Sequence, residues 1–396
     1  MEFRNLTPFS TLQYTMLDAQ DVEHYVIAMK VGFRLERTHE GSFITRIMDN
    51  PSMPLCMLDE YAGEINHSQV LQESDLAPFK PRCDVIVNGT AYAPAGSTTT
   101  EMMVGLKLLT NENHVLLDKH LCITGDHFFN RHSVSGQWSL TAETPFTSLP
   151  LDYQYAYGGE CKIGKESEAA KFVPEKYHLT EQQQAEHPEA DNPPLAHSAC
   201  MSNPRGRGYV TLWYQQATQT SKIPAPNITD PNAPFTLTSF LASLDPHADL
   251  TVAEYQPAGL GILARSWQPR LKKAGTYDRQ WLDTRHPRLP TDFDFGYWNA
   301  APPDQQIPYP PPGIRLELKG LHPRGDIQIQ LPPHRAAVLL RMTDGTLIPQ
   351  LMHADTLIVD TEKLTVALTW RYLIKADAPL RVIEARYMTD IVQGEN

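Results

Sequence analysis

Apolar and polar residues alternate with a period of two near both ends of the chain and lose that period in its middle. Residues 24–36 are dense in Val, Ile, Tyr and Phe and predict a strand. A polar turn at 38–41 and a second strand at 42–48 follow. Lys30 and Arg34 interrupt the first apolar run, which predicts that one of its faces meets solvent. In residues 84–93, Val85 and Val87 alternate with polar partners up to Asn88-Gly89, and Thr90 and Tyr92 resume the pattern. Asn-Gly between alternating segments predicts a two-residue hairpin, because both central residues take positive φ. Residues 101–109 and 114–124 predict two more strands joined at 110–113. Near the C-terminus, 356–360 and 364–374 flank a short turn at 361–363. Leu364, Val366, Leu368, Trp370, Tyr372 and Ile374 alternate without a break, which predicts a strand with one buried face.

The middle reads differently. Residues 166–191 are polar and rich in Glu, Gln and Ala, and predict one or two exposed helical turns or a mobile insertion. Residues 192–257 are punctuated by proline, with a strand expected at 208–216. Between Trp267 and Trp298, seven of 32 residues are Trp, Tyr or Phe, without clean periodicity. Residues 307–313 (Ile-Pro-Tyr-Pro-Pro-Pro-Gly) predict a polyproline-like linker or clamp. The chain holds 33 prolines against 22 glycines in 396 residues. Proline excludes itself from helix interiors and central strands, so long helical arrays are disfavoured. The expected fold is mainly β: antiparallel sandwich- or barrel-like lobes with Pro-rich ordered coil and only short helices. The expected division is a β-rich lobe at 1–165, the polar insertion at 166–191, a Pro- and aromatic-rich core at 192–313 and a β-rich segment at 314–396.

Charge narrows the partners. Forty-six acidic residues against 34 Lys and Arg give a net charge of −12, which disfavours a phosphate backbone as ligand. No apolar stretch reaches the ~20 residues that span a bilayer. Residues 1–10 carry Glu2 and Arg4 and no apolar run, so no secretory signal is expected. Five widely spaced cysteines without a CxxC pair fit free thiols in a reducing cytosol.

Several constellations could carry chemistry, and each has a plainer reading. Gly159 to Lys165 matches G-x-x-x-x-G-K, but the position that should offer a hydroxyl to Mg²⁺ is Glu166, and Glu160 would repel phosphates; an ordinary glycine turn is favoured. His120, Cys122, His127 and His132 cluster, yet their spacing fits no zinc motif, so a hairpin end is favoured. Asp292 and Asp294 would face one way on an extended segment and suggest paired-carboxylate hydrolysis, against salt-bridged aspartates near Arg285 and Arg288. Cys161 lacks the surroundings of a thiol nucleophile. Arg205 and Arg207 could grip an anion but more simply meet nearby carboxylates. The aromatic segment offers Trp267, Arg270, Tyr277, Trp281, Phe293, Tyr297 and Trp298 as candidate partner-binding residues, since Trp, Tyr and Arg dominate binding hot spots; packing of the rings over a sheet is the plainer alternative.

The order of short motifs resembles one family. Lys80-Pro81, Asp84, Gly89, Ala93-Pro94 and Gly96 open it. Gly125-Asp126, Pro145-Phe146-Thr147, Leu149 to Tyr153 and Ala156-Tyr157-Gly158-Gly159 follow, with Tyr157 where the family more often has Phe. Then come Asn203-Pro204-Arg205-Gly206-Arg207-Gly208-Tyr209, Pro257 to Gly261, and Trp267-Gln268-Pro269-Arg270. Gly275-Thr276-Tyr277-Asp278, Trp281, Leu289-Pro290, Asp292-Phe293-Asp294 and Asn299-Ala300-Ala301-Pro302 with Asp304-Gln305 complete it. This pattern is similar to the family catalogued as domain of unknown function 2169. The resemblance implies a cytoplasmic bacterial adaptor or chaperone of type VI secretion that holds a toxic effector and helps load it onto the VgrG or PAAR spike. It implies no catalytic residues; no metal or cofactor is expected, and the charge and hydropathy already argue against nucleic-acid binding and membrane insertion. A structural spike-associated component is the alternative, with a hydrolase using Asp292 or Asp294 behind it.

Overall fold

The computed structural model describes residues 1–48, 53–189, 191–244 and 256–389. Three sheets carry the architecture. The largest, of seven strands, runs in the order Ser10–Leu17, Glu23–Arg37, Thr365–Lys375, His353–Asp360, Cys83–Asn88 and Gln306–Ile307, and Phe43–Met48 pairs the far half of Glu23–Arg37. Strands from opposite ends of the chain are thus direct neighbours, with Trp370 opposite Met29. His353–Asp360 and Cys83–Asn88 run parallel.

A five-stranded sheet orders Ile228–Thr229, Val115–Thr124, Glu101–Leu109, Arg315–Lys319 and Ile327–Gln330. A four-stranded sheet orders Glu2–Asn5, Leu380–Met388, Arg335–Met342 and Leu347–Leu351. Alternate residues of all three sheets meet in one apolar core: Val31, Val85, Leu357 and Val366 from the first, Leu106, Leu121 and Leu316 from the second, Val338 and Ile383 from the third. The fold is mainly β, as the alternation predicts, and its α-helices are short: Glu181–Ala185, Leu212–Thr218, Leu237–Ser243 and Arg279–Thr284 among the described residues.

Four local expectations fail for identifiable reasons. Asn88-Gly89 is not a hairpin turn. Both edges of Cys83–Asn88 are taken, by His353–Asp360 and Gln306–Ile307, so Thr90–Tyr92 leaves the sheet and pairs with Ser148–Pro150 instead. Residues 208–216 do not form a strand. The Thr211 side chain accepts from the Tyr214 N–H and caps the helix Leu212–Thr218, which buries Trp213 and Ala217, four apart, on one face. The strand Thr365–Lys375 buries both faces from Val366 to Arg371 rather than one. Of the two cations expected to mark a solvent face, Arg34 is exposed but Lys30 is not, at 2% exposure. The second face of the large sheet is covered by chain from the 53–82 and 256–305 regions, and this face carries the charges described next.

Candidate functional site

A charge inside a strand is tolerated when a partner and hydrogen bonds replace the water it loses. On the covered face of the large sheet, Lys30 Nζ donates to Asp75 Oδ2 at 3.0 Å, and the Thr369 hydroxyl donates to Asp75 Oδ1 at 3.0 Å. These two residues sit opposite each other in register, so one carboxylate clamps both strands. Arg371 Nε donates to Asp355 Oδ2 at 2.7 Å, and its Nη1 donates to the Tyr14 hydroxyl and to the Asp75 carbonyl. Burial works against the Arg371 cation, but Asp355 and Tyr14 outweigh it and raise its pKa.

Lys80 and Asp84, from the opening motif, extend this layer. Lys80 Nζ donates to Asp84 Oδ2 at 2.8 Å and to the Thr356 hydroxyl at 2.8 Å. The Asp84 carboxylate also accepts from Asn299 Nδ2 and from the N–H groups of Ala300 and Ala301. Motif residues more than 200 positions apart thereby meet at one fully buried carboxylate. Desolvation opposes the Lys80 charge, while Asp84 and Asp355 more than compensate and raise its pKa. At the other edge, Gln305 Nε2 donates to the carbonyls of Val85 and Leu260, and Asp304 pairs with Lys119 at 2.8 Å.

The glycine motifs form a second lock. Tyr157–Gly158 and Arg207–Gly208 pair as short parallel strands, and Asn203 Nδ2 donates to the carbonyls of Tyr153 and Tyr157. Gly158 has φ +149, and a Cβ there would lie 2.1 Å from the Asn203 carbonyl oxygen. Gly206 is also crowded, with the Ala156 carbonyl and the Asn203 side chain each 2.6 Å from a Cβ placed there. Pro81 and Gly96 lie on the surface, and Pro204 is half-buried.

The aromatic candidates divide by burial. Trp267, Arg270 and Phe293 are inside the protein. Trp267 meets Tyr153 edge to face. Arg270 makes a two-pronged pair with Glu73 (2.6 and 3.0 Å) and also donates to the Leu263 and Tyr297 carbonyls. Burial alone would raise the Glu73 carboxyl; Arg270 outweighs it and holds it below the usual range. Tyr297 and Trp298 are half-buried, with Arg265 over the Trp298 ring. The surface part is the loop from Gly275 to Asp292. Thr276 closes it by donating its N–H and hydroxyl to the two Asp292 oxygens. Asp278 caps the helix Arg279–Thr284 by accepting from the Trp281 N–H. Arg285 and Arg288 both tie the loop to Asp21. Trp281 is held edge to face between Tyr277 and His286, and its Nε1 donates to the Arg288 carbonyl. Tyr277 and Leu282 stand about half exposed on this braced loop.

The other sequence candidates fall into structural settings. The G-x-x-x-x-G-K stretch contains the strand Glu160–Ile163, paired with Ala196–Ala199, and buries Cys161 and Ile163, so it forms no phosphate loop. Burial raises the Cys161 thiol, the wrong direction for a nucleophile. His127 Nδ1 lies 2.9 Å from the Gly125 carbonyl, which only accepts, so this nitrogen carries the proton. Cys122 Sγ faces Glu101, and His120 faces Asp118. His132 is exposed. Arg205 pairs with Asp152, and Arg207 reaches Asp126 and Asn227 over the Tyr155 ring. Asp292 and Asp294 are both exposed. The Thr276 N–H and hydroxyl hold the Asp292 carboxyl below its ordinary value, and Asp294 accepts from the Gly296 N–H. Sequence reasoning missed Asp75, Asp355, Glu73 and Arg371. The available signal was a cation inside an otherwise apolar strand, at Lys30 and at Arg371.

Among the described residues no helix is long and apolar enough to cross a membrane. Comparison with curated proteins and with solved structures gives no match. The family model for an uncharacterized protein conserved in bacteria, domain of unknown function 2169, matches residues 20–371. That span takes in every motif gathered at Asp84, at Asn203 and in the 275–292 loop, and the chain belongs to this family.

Proposed function

We propose that the protein is a binding protein rather than a catalyst: a cytoplasmic adaptor of type VI secretion that holds a toxic effector and helps load it onto the VgrG or PAAR spike. The observation that carries the binding reading is the braced loop at 275–292. It presents Tyr277 and Leu282 to solvent while two arginines and Asp292 fix its backbone. A preordered apolar surface loses little entropy when a partner docks, so its contact area is realised as affinity. The net charge of −12 favours a basic partner surface and faster encounter with it. The secretion context comes from the motif resemblance. Masking apolar effector surface would be the chaperone activity, and a stable complex would bury more than ~1,000 Å².

The test is capture of partners by the tagged full chain from its host's lysate at moderate salt, read by mass spectrometry. The expected result is a toxin-like or spike-tip protein at near-stoichiometric amount. Recovery of nothing specific, from cells shown to express the secretion apparatus, would sink the adaptor reading. Assaying the culture medium for the chain separates an adaptor, which stays in the cell, from a spike component, which leaves with the particle.

A further inference from the structure

The three sheets meet around a cleft of about 250 Å³. Its floor is apolar and buried: Ile314, Leu331, Met352, Leu368 and Trp370. Pro310, Pro311 and Pro312 form one wall. The polyproline stretch is pinned at Tyr309, whose hydroxyl donates to the Lys80 carbonyl and whose ring stacks on His353 at 4.6 Å. Hydrogen bonds from the Leu331 N–H to Ile314 and from the Met352 N–H to Ala336 hold the other sides. The cleft is therefore a built concavity with fixed walls.

Its ionisable lining is one-sided. Arg335, His334 and His353 border it, and no Asp or Glu does so among the described residues, in a chain of net charge −12. Arg335 lines the cleft and has no ion pair among the described residues. A guanidinium bordering an apolar cleft with no acidic neighbour in its lining leaves its charge unpaired there, and a carboxylate is the group whose geometry fits the guanidinium fork. The 250 Å³ volume is below the roughly 300–1,000 Å³ of pockets for drug-sized ligands. It suits one short apolar chain or one apolar side chain.

We propose that this cleft binds a small apolar carboxylate, with the hydrocarbon on Trp370 and Met352 and the carboxylate at Arg335. Two sources share this chemistry: a free medium-chain acid, and the C-terminal carboxylate of a polypeptide ending in an apolar residue. The site is separate from the 275–292 loop and does not depend on the adaptor reading.

The test is titration calorimetry of the full chain with sodium octanoate, octan-1-ol and octylamine. It adds an acetylated peptide ending in leucine, as free acid and as amide. Octanoate is expected to bind at one site, at least about tenfold more tightly than the alcohol or the amine, the size expected for one charge-assisted hydrogen bond. Arg335→Gln, at a half-buried position, should remove that preference without changing the near-ultraviolet circular dichroism. Leu351→Trp, at the exposed rim, should weaken octanoate by narrowing the mouth. Binding of the free-acid peptide over its amide, in competition with octanoate, would identify a chain terminus as the ligand; octanoate alone would identify a free acid. Equal binding of octanoate and octylamine, an Arg335→Gln variant that binds octanoate as well as the parent, or no binding of either acid overturns the proposal.

Discussion

Lys80 and Asp84 face each other at 2.8 Å with essentially no water around them, and Asp84 simultaneously holds Asn299, Ala300 and Ala301. This carboxylate joins the large sheet to the segment that covers it. Removing one partner of a buried pair leaves the other charge desolvated and uncompensated, at a cost of about 3–5 kcal/mol. Asp84→Ala should lower stability by that amount in urea unfolding. Asp283→Ala, which breaks the exposed pair with Arg279, should change it by no more than about 0.5 kcal/mol. Equal losses in the two variants would show that the buried pair has no special weight.

Much of the fold was legible because the β-branched and aromatic density at residues 24–36 and the alternation at 364–374 are local properties of the chain. Strand partners were not legible. Nothing local says that Lys30 meets a carboxylate 45 residues away, or that Arg371 reaches the backbone of the same aspartate across 296 residues. Asn88-Gly89 misleads for the same reason: a turn signal describes two residues, whereas the free edge that a hairpin needs depends on strands from residue 306 and residue 353. In the aromatic segment, large rings with interspersed Arg look alike whether they pack inward, as at Trp267 and Arg270, or stand outward, as at Tyr277.

The Asn203 lock predicts an asymmetry between two glycines that both have positive φ. Gly96 has φ +75 and open space around it, so Gly96→Ala should cost only the conformational penalty, roughly 1–2 kcal/mol. Gly158→Ala adds a collision with the backbone carbonyl of Asn203 and must displace the Tyr157–Gly158 pairing. Its thermal midpoint should fall well below that of Gly96→Ala, or the protein should fail to accumulate in soluble form. Matching midpoints would contradict the close approach.

Glu384 gives the clearest acid dependence. Arg341 and Arg386 hydrogen-bond its carboxylate at 2.6 and 2.7 Å and hold its pKa down to about 2, from an ordinary 4.5. The folded state therefore binds this proton less readily than the unfolded chain. Its stabilising contribution is complete above pH 4.5 and is lost as the pH falls from 4.5 towards 2. Glu384→Gln should be less stable than the parent at pH 6, with the gap closing through that window. Parallel stability curves for parent and variant between pH 6 and pH 3 would refute the assignment.

Tyr277 is the sharper probe of the proposed partner surface, because Trp281 also supports the loop through its bond to the Arg288 carbonyl. Tyr277 is 53% exposed and Leu282 is 50% exposed, and neither is part of a buried core cluster. Surface substitutions of this kind usually shift stability by less than about 0.5 kcal/mol, whereas a hot-spot aromatic contributes about 2 kcal/mol or more to binding. Tyr277→Ala should therefore leave the thermal midpoint unchanged and weaken the captured partner roughly 30-fold, measured by surface plasmon resonance with the purified complex components. Leu282→Ser should act in the same direction with a smaller loss. Trp281→Ala should weaken binding too, but together with a change in near-ultraviolet circular dichroism as the loop loosens. If Tyr277→Ala binds like the parent while Trp281→Ala lowers the melting temperature, the ring cluster is there to brace the loop and the partner docks elsewhere.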